Sequence, residues 1–494
     1  MARHCGIVAA SACAAAALLW FLLSRESSNH VAPPGVLLIT IDTLRADHLS
    51  AYGYARRTSP NLDALAAQGA LFEVAYSEAN STNPSHTTIL TGTHSQTHGV
   101  VDTPQGFSVA GLPTLAERLQ AAGYATAAIV SAHHLNQGPS GLGRGFDTYV
   151  DVEDTQRRAT DSLAPARQWI AAHADQPFFL WLHLFDPHAL YEPPAPYDTR
   201  FPSAPSPRID VILGRLTRDD FFRSQPLSAD ERHTLTNQFR LPFRASIGLN
   251  RIGVTASELA YLTALYDGEI AYTDAMLGEL FADLSRLGLD DKTLVVVTAD
   301  HGEAFGEHGF YCMHRTIYEE TLRVPLILRY SGRISPGQRL QVPVHHVDIA
   351  PTVLQYAGLP LSKTLAGEGL APLISDGAPF PTRPVFAVHT NLNAAMVRDG
   401  PWKLIFSRPE VKANWIAASK REGRIPLIHP VSEELYDIAS DPGETKDVAD
   451  INPTIVERLR RLYAERFPAN ATIPSGRPVD AETSERLRAL GYGD

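Results

Sequence analysis

Residues 31–42, VAPPGVLLITID, form an apolar run that follows two prolines and ends at Asp42. A short run of this kind predicts a strand that is buried on both faces. Three similar runs follow, at 124–131 (YATAAIVS), 178–185 (FFLWLHLF) and 293–300 (TLVVVTAD), and a helix-like stretch precedes each of them. Strands that alternate with helices predict an α/β fold with a parallel sheet covered by helices.

The composition is that of a folded chain with an acidic balance. The 494 residues are 44% hydrophobic and 20% charged, which is enough to bury a large core in one or two domains and excludes a disordered chain. The formal net charge of -11 argues against a nucleic-acid partner, because a site for phosphate backbones usually leaves a basic footprint. An anionic substrate would therefore need a local source of positive charge.

The N-terminal segment contains a long apolar run. Residues 5–24, CGIVAASACAAAALLWFLLS, are long enough to span a bilayer as a helix, and Arg3 precedes them. We predict that residues 1–28 are a membrane anchor or a cleaved signal peptide, and that the protein is exported, either anchored to a membrane or periplasmic or secreted. Two of the three cysteines lie in this segment, so Cys312 alone can form neither an internal disulfide nor a cysteine zinc site.

Two other regions depart from the strand and helix alternation. Around 202–260 the pattern loosens into stretches rich in Arg and Phe, which we interpret as an insertion lying over the sheet. Beyond about 375 the apolar runs shorten before a final helix-like stretch, PTIVERLRRLYAERF. We therefore predict a small α+β subdomain at 376–494.

Carboxylate and imidazole side chains recur at the predicted strand ends. The first strand ends in Asp42, the third contains His183 and leads into His188, and the fourth leads into Asp300 and His301. Parallel sheets place ligands at the carboxyl ends of their strands, so these groups are expected at one rim. A single Asp there would more often be a helix cap, but three such ends favour a divalent cation, and imidazole favours Zn or Mn over Ca.

A second segment, NSTNPSHTTILTG at 80–92, predicts a helix that starts near Pro84 and stops at Gly92. Thr82 is then expected just before the helix N-terminus, where backbone N–H groups favour an anion. Thr82 can be a plain N-cap or, beside a divalent cation, a nucleophile. The two roles are compatible.

The same segment resembles the sulfatase motif Cys/Ser-x-Pro-x-Arg-x-x-x-x-Thr-Gly, with Thr82, Pro84, Thr91 and Gly92 in register. The resemblance covers most of residues 36–450. Further matching segments are LLITIDTLRADHLSAYGY, FDPHALYEPP, TADHGEAFGEHG, YEETLRVPLIL, VDIAPTVLQYAG and ELYDIASDPGE. It implies an alkaline-phosphatase-like α/β sandwich with a central, mostly parallel sheet, in which a catalytic domain at 36–375 precedes the small C-terminal α+β subdomain.

The departures from the motif imply different chemistry. Sulfatases of the usual kind oxidise the motif Cys or Ser to formylglycine, whereas oxidation of Thr82 would give a ketone. His86 replaces the motif Arg, Thr43 replaces the second carboxylate of the usual Asp-Asp pair, and His314 replaces an expected Lys. Together these changes resemble the branch of the superfamily that uses a metal-bound Thr nucleophile on phosphorus.

The resemblance assigns roles to particular residues. The expected cation ligands are Asp42, Thr82, Asp300 and His301. The residues expected to contact the substrate oxyanion or a second cation are His183, His188 and His314. His86 would either orient the nucleophile or replace the motif Arg in packing.

The leading hypothesis is a metal-dependent hydrolase of phosphate or sulfate esters, with phosphoesters favoured, acting on a small-molecule, lipid or glycan ester. An alternative is a lipid-headgroup phosphotransferase, which a membrane anchor would suit, and another is an arylsulfatase-type sulfuric ester hydrolase. A third class, an inactive ligand-binding homologue, is disfavoured because Asp42, Asp300 and His301 are all retained. Metal analysis of the protein would discriminate it from the enzymes.

Overall fold

The structure is a computed structural model, and it describes most of the chain beyond residue 33. The described residues are 34–484 apart from 104, 154–155, 190, 214, 216–252, 391–393, 408–432, 470–471, 480 and 482. The predicted anchor or signal peptide at 1–28, and most of the predicted insertion at 202–260, lie outside them. In the described part of the chain, no helix combines the length and the apolar character that crossing a membrane requires.

The centre of the fold is a nine-stranded sheet, with strand order β11-β2-β10-β7-β1-β6-β4-β5 and β12 paired to β2. The strands in chain order are β1 Gly35–Ile41, β2 Ala70–Tyr76, β3 Gln105–Gly106, β4 Ala125–Ile129, β5 Thr148–Val150, β6 Phe178–Leu184, β7 Thr293–Ala299, β8 Ala304–Phe305, β9 Tyr311–Met313, β10 Arg323–Arg329, β11 Gln338–Leu340, β12 Val344–His345, β13 Val385–Val388, β14 Ala394–Asp399, β15 Trp402–Ser407, β16 Glu433–Asp437 and β17 Arg477–Pro478.

The four strands predicted from apolar runs are confirmed as β1, β4, β6 and β7. They lie side by side and pair in parallel, and every residue of β1, β6 and β7 is buried. Burial of all side chains on both faces explains why these strands are continuous apolar runs and do not alternate.

The edge of the sheet beyond β7 was not predicted from apolar runs. There β10 pairs antiparallel with both β7 and β2. In β2, ALFEVAY, two residues are half-buried and one of them, Glu73, is charged, so the strand is not a continuous apolar run. The sheet is therefore mixed, though mostly parallel, as the alkaline-phosphatase-like fold requires.

Helices pack around this sheet in two groups. The long helix α8 packs on α1 and α6, and α2 packs on α4 and α10. The helices are α1 Pro60–Ala67, α2 Thr82–Thr91, α3 Ser95–His98, α4 Leu115–Ala121, α5 Gln137–Ser140, α6 Ala159–Ala172, α7 Pro207–Ile212, α8 Ala256–Arg286, α9 Glu319–Leu322, α10 Ile349–Tyr356, α11 Ala371–Asp376 and α12 Pro453–Arg466. α8 starts inside the predicted insertion, because Thr255 and Glu258 form a capping box at its N-terminus.

The C-terminal region contains a separate antiparallel sheet, β13-β14-β15-β16, on which α12 packs. A buried charge joins it to the large sheet. Lys403 on β15 is fully buried, and its Nζ lies 2.9 Å from Glu319 Oε1 and 2.8 Å from Glu444 Oε1. Burial alone would lower the pKa of Lys403, but the two carboxylates outweigh burial and raise it.

We expect Lys403→Met to lower the free energy of unfolding by about 3 kcal/mol, because it leaves two buried carboxylates without their cation. Urea unfolding of the variant measures this loss. The control is Arg460→Met, which removes a more exposed partner of Glu433 and should cost under about 1 kcal/mol. Equal losses of unfolding free energy in the two variants would contradict a stabilising role for the buried ion pairs of Lys403.

Candidate active site

Three of the predicted cation ligands meet at the carboxyl ends of β1 and β7. The parallel register sets Ile41 beside Ala299, so Asp42 and Asp300 follow at the same rim of the sheet. His301 Nε2 lies 3.3 Å from Asp300 Oδ2 and 4.0 Å from Asp42 Oδ1. All three side chains are fully buried and lie close enough together to hold one metal ion.

Three of the four oxygens of the two carboxylates accept no hydrogen bond from the described residues. Asp300 Oδ1 accepts hydrogen bonds from the Thr43 and His301 backbone N–H groups, at 3.1 and 2.8 Å. Asp300 Oδ2 and both oxygens of Asp42 accept none from the described residues. Burial, followed by the negative charges of Asp300 and Glu303, raises the pKa of Asp42 well above its usual value. A divalent cation fits here, because it would supply the missing charge and the missing ligand.

Thr82 lies at the same place, at the start of α2. The prediction that Thr82 just precedes the helix is wrong by one residue: Ser81 is the N-cap and Thr82 is the first helical residue. Its Oγ1 is 3.4 Å from His301 Nε2, and its side chain is fully buried. Gly92, with φ 66°, ends the helix in the left-handed conformation, as predicted.

His86 contacts the backbone of the Thr82 turn. Its Nδ1 donates to the Thr82 carbonyl at 2.9 Å, and its Nε2 accepts from the Thr40 hydroxyl at 3.0 Å. A carbonyl can only accept, so the ring proton of His86 is on Nδ1. Trp181 Nε1 donates to the same Thr40 oxygen at 3.0 Å. Burial lowers the pKa of His86. This geometry suits a neutral imidazole that holds the first turn of α2 at Thr82.

His183 faces Asp42 from the neighbouring strand β6. The Ser131 N–H donates to His183 Nδ1 at 3.3 Å, which leaves the ring proton on Nε2. That Nε2 lies 3.6 Å from Asp42 Oδ2. Burial lowers the pKa of His183 well below its usual value. A neutral N–H in this position is a hydrogen-bond donor aimed at the site.

His188 and His314 form a further imidazole group beside His301. The rings of His301 and His314 stack with centroids 4.2 Å apart, and the centroids of His188 and His314 are 5.8 Å apart. Each of the last two donates Nδ1–H to a backbone carbonyl, of Ala189 and Asn80 respectively. Burial lowers the pKa of His188 to about 4 and that of His314 well below its usual value. Both rings are therefore neutral at neutral pH.

Two residues near this site were not singled out from sequence. His134 is fully buried, and burial together with the neighbouring His188 and His86 lowers its pKa well below the usual value. The signal for it was available, since His133 and His134 follow the second predicted strand. Glu303 is buried two residues beyond His301, accepts a hydrogen bond from the Tyr191 hydroxyl at 3.2 Å, and has its pKa raised by burial to about 8.

Two other polar residues serve the scaffold. Asp186, which precedes His188 by two residues, accepts the Ala159 backbone N–H at 2.9 Å and so caps the start of α6. Cys312 is buried and forms no disulfide, and burial raises the pKa of its thiol. Neither belongs to the group of cation ligands.

A family model matches the part of the chain that contains this site. The model of the sulfatase family matches residues 34–359, which is more than half of the chain and includes every residue of the site. The chain belongs to the sulfatase family.

The chain is similar to arylsulfatase K of Bos taurus, with 29% identity over 325 residues, and the match covers 63% of this chain. The match covers 55% of the relative, so the chain spans just over half of its length. N-acetylglucosamine-6-O-sulfatase of Bacteroides thetaiotaomicron is 25% identical over 481 residues, covering 84% of this chain and 82% of the relative.

A solved structure, the phosphonate monoester hydrolase of Agrobacterium radiobacter, superposes with a TM-score of 0.66 at 21% sequence identity. The match covers 88% of this chain and 96% of that protein. This likeness confirms the alkaline-phosphatase-like fold that the sequence predicted.

Proposed function

We propose that this protein is a metal-dependent ester hydrolase in which unmodified Thr82 is the nucleophile and phosphate or phosphonate esters are preferred to sulfate esters. The observation that carries the proposal is the place of the Thr82 hydroxyl. It lies 3.4 Å from His301 Nε2, at the first residue of a helix. The same site contains two buried carboxylates, and three of their four oxygens accept no hydrogen bond from the described residues.

The residues that would hold the cation are Asp42, Thr82, Asp300 and His301. When bound, a divalent cation lowers the pKa of a neighbouring hydroxyl and stabilises negative charge on the ester. Among divalent cations, the imidazole of His301 favours Zn or Mn over Ca, which prefers oxygen ligands alone. Thr43 supplies a hydroxyl where the resemblance expects a second carboxylate, so the site has one fewer negatively charged oxygen ligand for Ca²⁺.

The other residues bind and orient. His86 holds the Thr82 backbone, so that the hydroxyl keeps its direction. The Nε2–H of His183 would donate to a non-bridging oxygen of the ester, and the neutral rings of His188 and His314 would line the same space. The backbone N–H groups at the start of α2 favour an anion at this point.

The type of nucleophile supports phosphorus over sulfur. Thr82 Oγ would give up its proton and attack phosphorus in line, forming a new P–O bond while the bond to the leaving alcohol breaks and the alcohol oxygen takes up a proton. Water would then attack the same phosphorus and break its bond to Thr82 Oγ. This second step regenerates the threonine hydroxyl and releases phosphate, a phosphate monoester or a phosphonate, according to the substrate. A sulfated threonine has no geminal hydroxyl from which sulfate can be eliminated, whereas formylglycine hydrate has one.

A sulfuric ester hydrolase is the second candidate, because the curated relatives named above are sulfatases. The lipid-headgroup phosphotransferase differs from the leading proposal only in the acceptor, an alcohol in place of water.

The test is a substrate panel on protein loaded with Zn²⁺ or Mn²⁺. We expect kcat/KM for aryl phosphate diesters or phosphonate monoesters to exceed that for aryl sulfates by at least about 100-fold, since each tenfold step needs only about 1.4 kcal/mol of differential transition-state stabilisation. Aryl sulfate turnover without phosphoesterase activity would favour the second candidate. Product transfer to added glycerol, in place of water, would favour the phosphotransferase.

We also propose that the protein is exported, because the apolar run at 5–24 precedes the catalytic domain. In fractionated cells that express the full chain, we expect the protein in the membrane or the periplasmic or secreted fraction, and accessible to added protease. A variant with charged residues at Leu18 and Leu19 should stay in the cytosol. Recovery of the unmodified chain wholly from the cytosol would contradict export.

A further inference from the structure

A second group of metal-ligating side chains lies outside the Thr82 site. Glu78 follows β2, His94 precedes α3, and His345 ends β12, so three separate segments contribute one residue each. His94 Nδ1 is 2.9 Å from Glu78 Oε2, and His345 Nε2 is 3.5 Å from the same oxygen. One ligand atom from each of the three lies within 4.8 Å of the others. We call these residues the Glu78 cluster.

The cluster is buried, and one carboxylate oxygen of Glu78 faces both imidazoles. The exposed fractions of Glu78, His94 and His345 are 1%, 5% and 3%. The Ser95 N–H donates to Glu78 Oε1 at 2.7 Å, which fixes the carboxylate and leaves Oε2 facing the imidazoles.

A polar atom in the cluster also lacks a partner. His345 Nε2 is buried, points at Glu78 Oε2, and makes no hydrogen bond to the described residues. A buried nitrogen of this kind is costly unless a further group occupies the space beside it.

The cluster opens on a cavity of about 390 Å³ between the large sheet and the C-terminal region. His94 and His345 line one side of it, and Arg383, Phe386, Glu465 and Arg466 line the rest. A cation held by the three side chains could therefore keep one coordination position open to water or to a small ligand.

We propose that the Glu78 cluster is a zinc site, separate from the Thr82 centre, with Glu78, His94 and His345 as its ligands. Two imidazoles and one carboxylate are a ligand set that suits Zn²⁺, and an open fourth position is typical of sites that exchange a ligand. The ion would neutralise Glu78 and tie β2, α3 and β12 together beside the C-terminal sheet.

Zinc binding at this site would break one hydrogen bond, which the Val347 N–H donates to His345. In the absence of a cation, His345 Nδ1 accepts the Val347 N–H at 3.2 Å. Zinc on Nε2 requires the ring proton on Nδ1, so this hydrogen bond is lost. One neutral hydrogen bond is a small loss beside the binding free energy of a buried zinc ion.

The experiment measures zinc stoichiometry on the full chain, after removal of metal with a chelator and dialysis against Zn²⁺. We expect two equivalents in the unsubstituted protein and one in His94→Asn or Glu78→Gln. His94→Asn keeps a donor near Glu78 but loses the imidazole, and Glu78→Gln keeps the acceptor for Ser95 N–H. His173→Ala, at a histidine remote from both groups, should retain two.

Substitution of Asp300 distinguishes the two centres. Asp300→Asn should retain the equivalent that His94→Asn loses, and a protein carrying both changes should bind none. If Asp300→Asn alone removes all zinc, or if both Glu78 cluster variants keep the stoichiometry of the unsubstituted protein, the proposal is wrong. If the unsubstituted protein binds one equivalent and only the Glu78 cluster variants lose it, the proposal stands and the cation of the Thr82 centre is excluded. Circular dichroism confirms that each variant is folded.

Discussion

Thr82→Ala is expected to lower kcat/KM for the best phosphoester by on the order of 10⁴-fold or more, because it removes the hydroxyl that we propose as the nucleophile. The cost in stability should be small, about 1 kcal/mol, since the hydroxyl makes one long contact to His301. Steady-state kinetics and urea unfolding on the same preparation measure both effects.

The matched control is Thr82→Ser, which keeps the hydroxyl and removes a methyl group. We expect it to retain activity within about tenfold, the equivalent of about 1.4 kcal/mol in barrier height. Mass spectrometry of the peptide containing residue 82 should show unmodified threonine, and rapid quenching should trap phosphothreonine. A Thr82→Ala protein that still turns over would exclude Thr82 as nucleophile.

Asp300→Asn is expected to weaken metal binding and activity together. Asparagine can keep the acceptor for the Thr43 and His301 N–H groups through Oδ1, so the loop should retain its conformation. It replaces the unpaired Oδ2 with an amide that carries no charge. We expect the affinity of this centre for its cation to fall by more than about 100-fold, beyond the loss typical of outer-shell partners, and kcat/KM by on the order of 10³-fold.

The control for Asp300 is Asp274→Asn. Asp274 is also buried and accepts backbone N–H groups, those of Asn61 and Leu62, but it lies outside the cation ligands. Its substitution should leave metal content and kcat unchanged. Equilibrium dialysis measures the metal content of both variants, and steady-state kinetics measures their activity. Full metal content with full activity in Asp300→Asn would exclude Asp300 as a cation ligand.

The sequence carried much of the fold because the central strands are locally recognisable. β1, β4, β6 and β7 are buried on both faces, so each is a continuous apolar run that needs no knowledge of its neighbours. β2 is half-buried in its middle and carries Glu73, so its pairing with β10 was visible only in three dimensions.

The same distinction holds at the active site. Asp42, Asp300 and His301 were predicted together because each comes directly after a strand that is easy to recognise, and parallel strands end at one rim. The position of Thr82 was predicted to within one residue, because Pro84 and Gly92 mark a helix locally. His134 also follows a predicted strand, but its position near His188 and His86 depends on how separate segments of the chain fold together.

The sequence by itself determined the chemical types at the rim, the absence of a cysteine that could give formylglycine at position 82, and the buried parallel core. Only the tertiary structure decided which atom His183 presents, since the Ser131 N–H contact leaves its ring proton on Nε2, and only the fold placed Thr40 beside His86 Nε2. It also brought Glu78, His94 and His345 together. The physical reason is that apolar runs and helix limits are set by residues adjacent in the sequence. The positions of ring protons and the grouping of ligands depend instead on contacts between segments far apart in the chain.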